Sequence, residues 1–286
     1  MSRFTEFVVD RDLVKVTDKL LGKGTSSDVY EAIIQRENGE EEKVAAKRVR
    51  RNAIANQEIK ILARLNHKNI IKFHGAVRAL EGLDTYILME IATKGDLFNH
   101  IHDIKHNSPV FPITRRWKWI LQAAWAVQYL HKEALGHKDI KSPNFLIMGD
   151  DTLKLGDFGH TTVMHCSQES CGSNGTDRWM APEVLINNKR SLKSDVYSYG
   201  VVVWEMETGR VPFGDKKGRQ VAFCLYNGGK LPIPGDCSPM MKQILEGCLE
   251  SDYKNRISMD GVLDIINNYG KFDILFIHSF CSMWHL

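Results

Sequence analysis

One eight-residue segment constrains this chain more than any other: HKDIKSPN at positions 137–144, followed by the triplet DFG at 157–159. Within it an acid, Asp139, is followed two residues on by Lys141 and five residues on by Asn144. HxD and DFG triplets each arise by chance. Their order and spacing here, with further motifs on both sides, make coincidence a poor explanation, so the fold has to be one that uses both segments.

The 286 residues, 43% hydrophobic and 26% charged, suit one large domain or two lobes around a cleft. A net charge of +3 gives no case for nucleic-acid binding. The charged runs at 40–43 and 47–51 read as a turn and a solvated face. Cys166, Cys171, Cys224, Cys237, Cys248 and Cys281 form no CxxC pair, so free thiols in a reducing compartment are expected. A zinc site on Cys166, Cys171 and His165 lacks the usual paired spacing. The start, Met1-Ser2-Arg3, carries no signal-peptide apolar stretch. No run reaches the roughly 18 apolar residues of a membrane span. The expected location is the cytoplasm.

Residues 14–49 read as strands with turns at 22–27 and 37–42. Helical spacing follows near 53–65, with Ile54, Ile61, Leu62 and Leu65 available for a buried stripe. Strands are expected near 70–79 and 85–90. After Lys94-Gly95 the character changes to helices at 115–132, 195–208, 240–249 and 259–267, the second of them apolar on most sides. The predicted class is therefore α+β: a strand-rich unit with one main helix, then a mostly helical unit. The change of character near 91–95 marks their boundary and an expected cleft.

The flanking motifs are LGKGTSSDVY (21–30), VAAK (44–47), YILME (86–90), GTDRWMAPE (175–183), SDVYSYG (194–200) and DYKNRIS (252–258). A lone GxG at Gly22 and Gly24 would fit a tight hairpin turn as well as a phosphate cradle. Together with HKDIKSPN and DFG, however, these motifs resemble a protein kinase catalytic domain over residues 13–266. The resemblance implies a bilobal protein kinase fold at 13–268, with an N-lobe at 13–90, a hinge at 91–95 and a C-lobe at 96–268. An N-terminal extension (1–12) and a short apolar tail (269–286) flank it.

It also implies ATP and Mg2+ as cofactors and a role for each matching residue. Leu21, Gly22, Lys23 and Gly24 would fold backbone over phosphates, Ser27 standing where a third glycine is usual. Lys47 would hold the α- and β-phosphates, its ammonium fixed by Glu58. Val29, Ala45 and Leu146 would sandwich the adenine ring, with Met89 as gatekeeper, Glu90 and Ala92 offering backbone atoms and Asp96 reaching the ribose. Asp139 would accept the substrate hydroxyl proton and Lys141 would offset charge on the transferring phosphoryl group. Asn144 and Asp157 would hold magnesium, and Thr176 would bridge Asp139 and Lys141. Glu183 should pair with Arg256, and Asp195 should brace the catalytic loop. Leu62, Phe73, His137 and Phe158 match a packing spine, which makes His137 a packing residue rather than a base.

Lys141 and Thr176 point to serine/threonine specificity. WMAPEV at 179–184 and SDVYSYGVVVWEMETGRVPF resemble the tyrosine-kinase-like group, nearest to mixed-lineage kinases that act as MAP kinase kinase kinases. QVA at 220–222, LPIP at 231–234 and ESDYKNRIS are most similar to the leucine-zipper and sterile-alpha-motif branch. MAP kinase kinases are then the implied substrates, in stress signalling. Two departures stand out. Lys138 replaces the usual Arg and lacks its bidentate fork for a loop phosphate, and His160 follows DFG. Thr161, Thr162, Ser167, Ser170 and Ser173 are the candidate phosphosites. No zipper heptads or sterile-alpha-motif domain follow, and the tail FDILFIHSFCSMWHL is read as packing on the C-lobe or as a partner or dimer patch. The competing reading is a nucleotide-binding scaffold with little turnover.

Overall fold

The computed structural model describes residues 7–23, 27–36, 38–50, 53–79, 84–102, 112–164, 177–216 and 218–270. The architecture is the expected bilobal α+β arrangement. The chain forms two compact units, Met1–Gly95 with Leu146–Thr161, and Asp96–Phe145 with Thr162–Leu286.

The first unit is built on strands β1 (Val14–Lys23), β2 (Asp28–Gln35), β3 (Glu41–Arg50), β4 (Phe73–Arg78) and β5 (Asp84–Met89), with helix α1 (Ala53–Leu62) between β3 and β4. Their antiparallel sheet runs β1-β2-β3-β5-β4. Alternation of side chains decides what each face does. Val14, Ala32, Ile34, Val44, Ala46, Val77 and Leu88 meet in one buried cluster. The intervening residues of β3, Ala45 and Lys47, face the other way. Directly paired residues share a face, and Val29 pairs with Lys47 while Ala45 pairs with Met89. One face of the sheet therefore carries Val29, Ala45, Lys47 and Met89 together. All four central residues of β3 from Val44 to Lys47 are buried, because both faces are covered.

On α1 the buried side is Ala55, Glu58, Ile59, Ile61 and Leu62. The expected stripe is corrected at one end: Ile54 is 62% exposed and lines a cavity instead. It stands one turn before Glu58 on the same side of the helix, at the first turn of α1.

The second unit is helical, with α2 (Leu97–His102), α3 (Ile113–Lys132), α4 (Pro182–Asn187), α5 (Leu192–Thr208), α6 (Arg219–Tyr226), α7 (Pro239–Cys248) and α8 (Met259–Gly270). Helix α5 is buried from Ser194 to Met206 and forms the axis of this unit. It approaches α7 so closely that a Cβ on Gly200 would fall 2.5 Å from Cys248 Cβ. The Tyr199 hydroxyl donates to the Ile120 carbonyl of α3 at 3.2 Å. Gly209, at φ 65°, ends α5 in the left-handed conformation. Ser238 Oγ accepts from Met241 N and, with Pro239 at the first turn, starts α7. Cys224, Cys237 and Cys248 are free thiols, and burial pushes the last up to about 12. Among the described residues no helix is long and apolar enough to cross a membrane.

Candidate active site

The functional side chains form one cluster in each unit. In the first, Lys47 Nζ donates to Glu58 Oε1 at 2.6 Å and to Asp157 Oδ1 at 2.8 Å. Strand β3 delivers Lys47, and α1, starting at Ala53, places Glu58 in its second turn. Burial works against the Lys47 ammonium, but the two carboxylates outweigh it and hold its pKa above the ordinary lysine value. The same count leaves a surplus negative charge. Burial, with Asp157 nearby, raises the Glu58 pKa even though Lys47 and His160 pull it down.

Asp157 sits at φ 55°, a conformation that costs a non-glycine residue on the order of 1 kcal/mol and persists where its surroundings fix it. Here the Lys47 ion pair does so. Gln57 Nε2 donates to the Thr161 carbonyl at 3.0 Å and ties α1 to the residues after DFG. A cavity of about 540 Å3 opens beside this triad, lined among others by Ser27, Ile54, Glu58, Asp157 and His160. Its size is that of small-molecule sites. His160, unaccounted for by the sequence, is one wall of this cavity.

Of the other residues assigned to nucleotide binding, Leu21 and Lys23 are exposed, Gly22 pairs with Val29, and Ala92 is half-buried, as is Leu146. The Glu90 carboxylate accepts from Lys72 N and Lys154 Nζ, both at 2.6 Å, which fixes the start of the 90–95 connection. Gly24 lies outside the described residues.

The second unit carries Asp139, Lys141 and Asn144 on one short loop. Asp139 Oδ2 takes Lys141 Nζ at 2.8 Å and Asn144 Nδ2 at 2.9 Å. Asn144 Nδ2 also donates to the Asp139 carbonyl at 2.8 Å. Beneath the loop, Asp195 of α5 accepts from His137 N at 2.8 Å and Lys138 N at 2.9 Å. Burial alone would raise the Asp195 pKa. The His131 hydrogen bond and the charge of His131, with the Lys138 amide, reverse that and hold it below the usual carboxylate value. These bonds restrain Lys138 at φ 66°, and Arg190 adds a bond to its carbonyl at 3.1 Å. His137 is fully buried, as a packing residue should be.

Asp96 does something the sequence reading missed. Its carboxylate accepts from Asn99 N at 2.8 Å and Asn99 Nδ2 at 2.6 Å, so it caps α2. Asn99 three residues on was the available signal. A second missed cluster joins His102 Nε2 and Trp179 Nε1 to the fully buried Glu205, at 2.8 and 3.1 Å. An acid within the apolar run 201–206 of α5 was its trace. The expected Glu183–Arg256 pair is present as a two-pronged contact, at 2.7 and 2.9 Å. Of the candidate phosphosites, Thr161 and Thr162 are buried. Ser167, Ser170, Ser173 and Thr176 lie outside the described residues, as do Cys166, Cys171, His165 and the tail from 271.

Comparison with known proteins bears on both clusters. A family model described as protein tyrosine and serine/threonine kinase matches residues 15–266. The rat protein named mitogen-activated protein kinase kinase kinase 12 is 34% identical over 85% of this chain and 26% of its own length. The Caenorhabditis elegans mitogen-activated protein kinase kinase kinase zak-1 is 31% identical over 91% of this chain and 35% of its own. Human mitogen-activated protein kinase kinase kinase 7 is 31% identical over 75% and 35% respectively. The chain thus spans between a quarter and a little over a third of the length of these relatives.

Proposed function

Because the chain belongs to the protein tyrosine and serine/threonine kinase family, we propose that it transfers the γ-phosphate of ATP to serine or threonine in protein substrates. The observation that carries the reading is the Asp139 carboxylate, held by both Lys141 and Asn144. A substrate hydroxyl at Asp139 is oriented and gives up its proton there. Lys141 offsets charge gathered on the phosphoryl oxygens. Its ammonium at this position is the family feature that favours serine/threonine over tyrosine. Lys47, fixed by Glu58, holds the α- and β-phosphates, and the sheet face of Val29, Ala45 and Met89 takes the adenine ring.

The donor set also fits Mg2+. The two residues that the family motif assigns to the ion, Asp157 and Asn144, carry a carboxylate and an amide oxygen, the hard donors that Mg2+ prefers. Bound there, the ion would neutralise charge on the phosphates of ATP. The relatives' names support a place among MAP kinase kinase kinases, with MAP kinase kinases as substrates. The mixed-lineage group and its zipper branch, the 13–268 catalytic domain and a cytoplasmic location belong to the same proposal. Radiolabelled ATP with a catalytically inactive MAP kinase kinase tests it, with phosphoamino-acid analysis of the product. Phosphoserine or phosphothreonine in the substrate's activation loop is expected. Phosphotyrosine would overturn the specificity, and nucleotide binding without any transfer would leave a scaffold.

Glu58 supplies a pH test. Its raised pKa means that, as pH falls, it takes a proton before an ordinary glutamate at 4.5 does, and Lys47 then loses one of its two partners. Metal-free ATP affinity is expected to decline on the acid side, beginning above pH 4.5. Glu58→Gln should lack that acid limb and lower kcat/KM for ATP about 10- to 100-fold, the worth of one charge-assisted hydrogen bond. A limb that persists in Glu58→Gln assigns it to another group.

A further inference from the structure

The helical unit holds a cavity of its own, of about 540 Å3, between the start of α3, the end of α5, the start of α7 and the end of α8. None of its lining residues belongs to the Asp139 loop. Trp117, Met240 and Met241 are buried in its walls, whereas Ile113 and Tyr269 border it at 56% and 38% exposure. Single exposed apolar residues are ordinary, but two of them at the rim of one apolar hollow suit a covering side chain.

The charges on this lining do not balance. Arg116 of α3 faces two carboxylates, Glu207 of α5 and Asp236, which precedes α7. Arg116 Nε stands 3.3 Å from Glu207 Oε2, yet neither of these buried atoms has a hydrogen-bond partner among the described residues. A buried carboxylate oxygen in that state calls for a donor. Burial raises the Glu207 pKa and Asp236 adds to it, against the pull of Arg116, as happens where a second cation is wanting.

The apolar tail begins beside this cavity. Helix α8 runs to Gly270, and Tyr269 in its last turn is a lining residue, so Lys271 follows the lining by two positions, roughly 7 Å of extended chain at most. The sequence there reads KFDIL at 271–275, one cation and then three apolar side chains in four positions. We propose that the cavity is the docking site of this segment of the same chain, with the Lys271 ammonium on Glu207 and Asp236 and the Phe272 ring against the Trp117 and Met240 wall. Lys271 brings the donor that Glu207 lacks, on a flexible four-carbon stem, and a buried aromatic covers about 150–250 Å2. A short tether gives an effective concentration on the order of millimolar, which the same segment of a second copy does not match at ordinary protein concentrations. Docked in this way, the segment ties α8 to α3 and α7, whether or not the chain is a kinase.

The intact chain with p-benzoylphenylalanine in place of Phe272 tests the contact directly. Irradiation inserts the benzophenone into C–H bonds that it touches, methionine side chains above all, and mass spectrometry of the digest maps the product. An intramolecular product on Met240, Met241 or Ile113 is expected. Product mapped only elsewhere, product joining two copies, or no product at all would each overturn the docking. Lys271→Glu and, separately, Glu207→Gln should each lose most of that product. Lys271→Glu should also lower the thermal midpoint by about 2–4 °C. Lys271→Met keeps the stem and removes only the charge, and it reads the same loss should the reversal unfold the chain. In the Lys271→Met/Glu207→Gln double variant the midpoint shift should fall short of the sum of the single shifts, because both remove one contact. Additive shifts, or a product that survives the loss of the Lys271 charge, would overturn the pairing with Glu207 and with it the charge match on which the docking rests.

Discussion

Asp139→Asn is expected to lower phosphate transfer about 10²–10⁴-fold while leaving ATP affinity near that of the parent protein. The substitution keeps the shape of the side chain. The Asn144 bond to the residue 139 carbonyl, which involves no side chain of residue 139, is retained. What disappears is the negative charge that Lys141 and Asn144 both address, and with it the group able to take a proton from a hydroxyl. The Lys47–Glu58–Asp157 cluster belongs to the other unit and shares none of these bonds, so nucleotide binding has no reason to change. Single-turnover transfer and equilibrium binding of a fluorescent ATP analogue separate the two quantities. A transfer rate that survives within about tenfold would remove Asp139 from proton transfer, since positioned general bases contribute more than that. A parallel loss of ATP affinity would show that residue 139 supports the fold of the site and not only its chemistry.

Much of this arrangement was legible in the sequence because it follows from periodicity and from motifs whose side chains act at fixed spacing. The five strands of the first unit and the four long helices of the second were readable from apolar repeats, and Glu58 could be singled out from its place in the helical segment 56–62. What escaped were features of one or two turns. Helices α2 and α4 span six residues each, too few to establish a repeat, and α6 carries aromatics on its outer side, which blurs the inward pattern of Val221 and Leu225. Ile54 was assigned to a buried stripe by its helical spacing, yet at the first turn of α1 it lines a cavity and is 62% exposed. Side-chain bookings made after folding were also invisible. Asp96 reads as a ribose ligand by position, and its capping of α2 was not foreseen; Glu205 gains its partners from residues 103 and 26 positions away.

Arg256→Met is the substitution expected to cost the most stability, about 3–5 kcal/mol. Arg256 is almost fully buried, and besides its two bonds to Glu183 it donates to the carbonyls of Lys193 at 2.7 Å and Glu250 at 2.8 Å. Its guanidinium also lies 5.1 Å from the centre of the Tyr197 ring. Methionine fills comparable volume, so the loss is electrostatic and not that of a cavity. Glu183 would be left buried with Ser194 Oγ, at 2.9 Å, in place of a cation. A shift of the thermal midpoint by roughly 10 °C follows for a chain of this size. The partner substitution decides the cause. Glu183→Gln in the Arg256→Met background removes the stranded charge and should restore part of the midpoint, whereas a packing defect would add to the loss. Because every one of these bonds lies within the second unit, the destabilised transition should be that of the helical unit, and ATP bound to the Lys47 cluster should not rescue it.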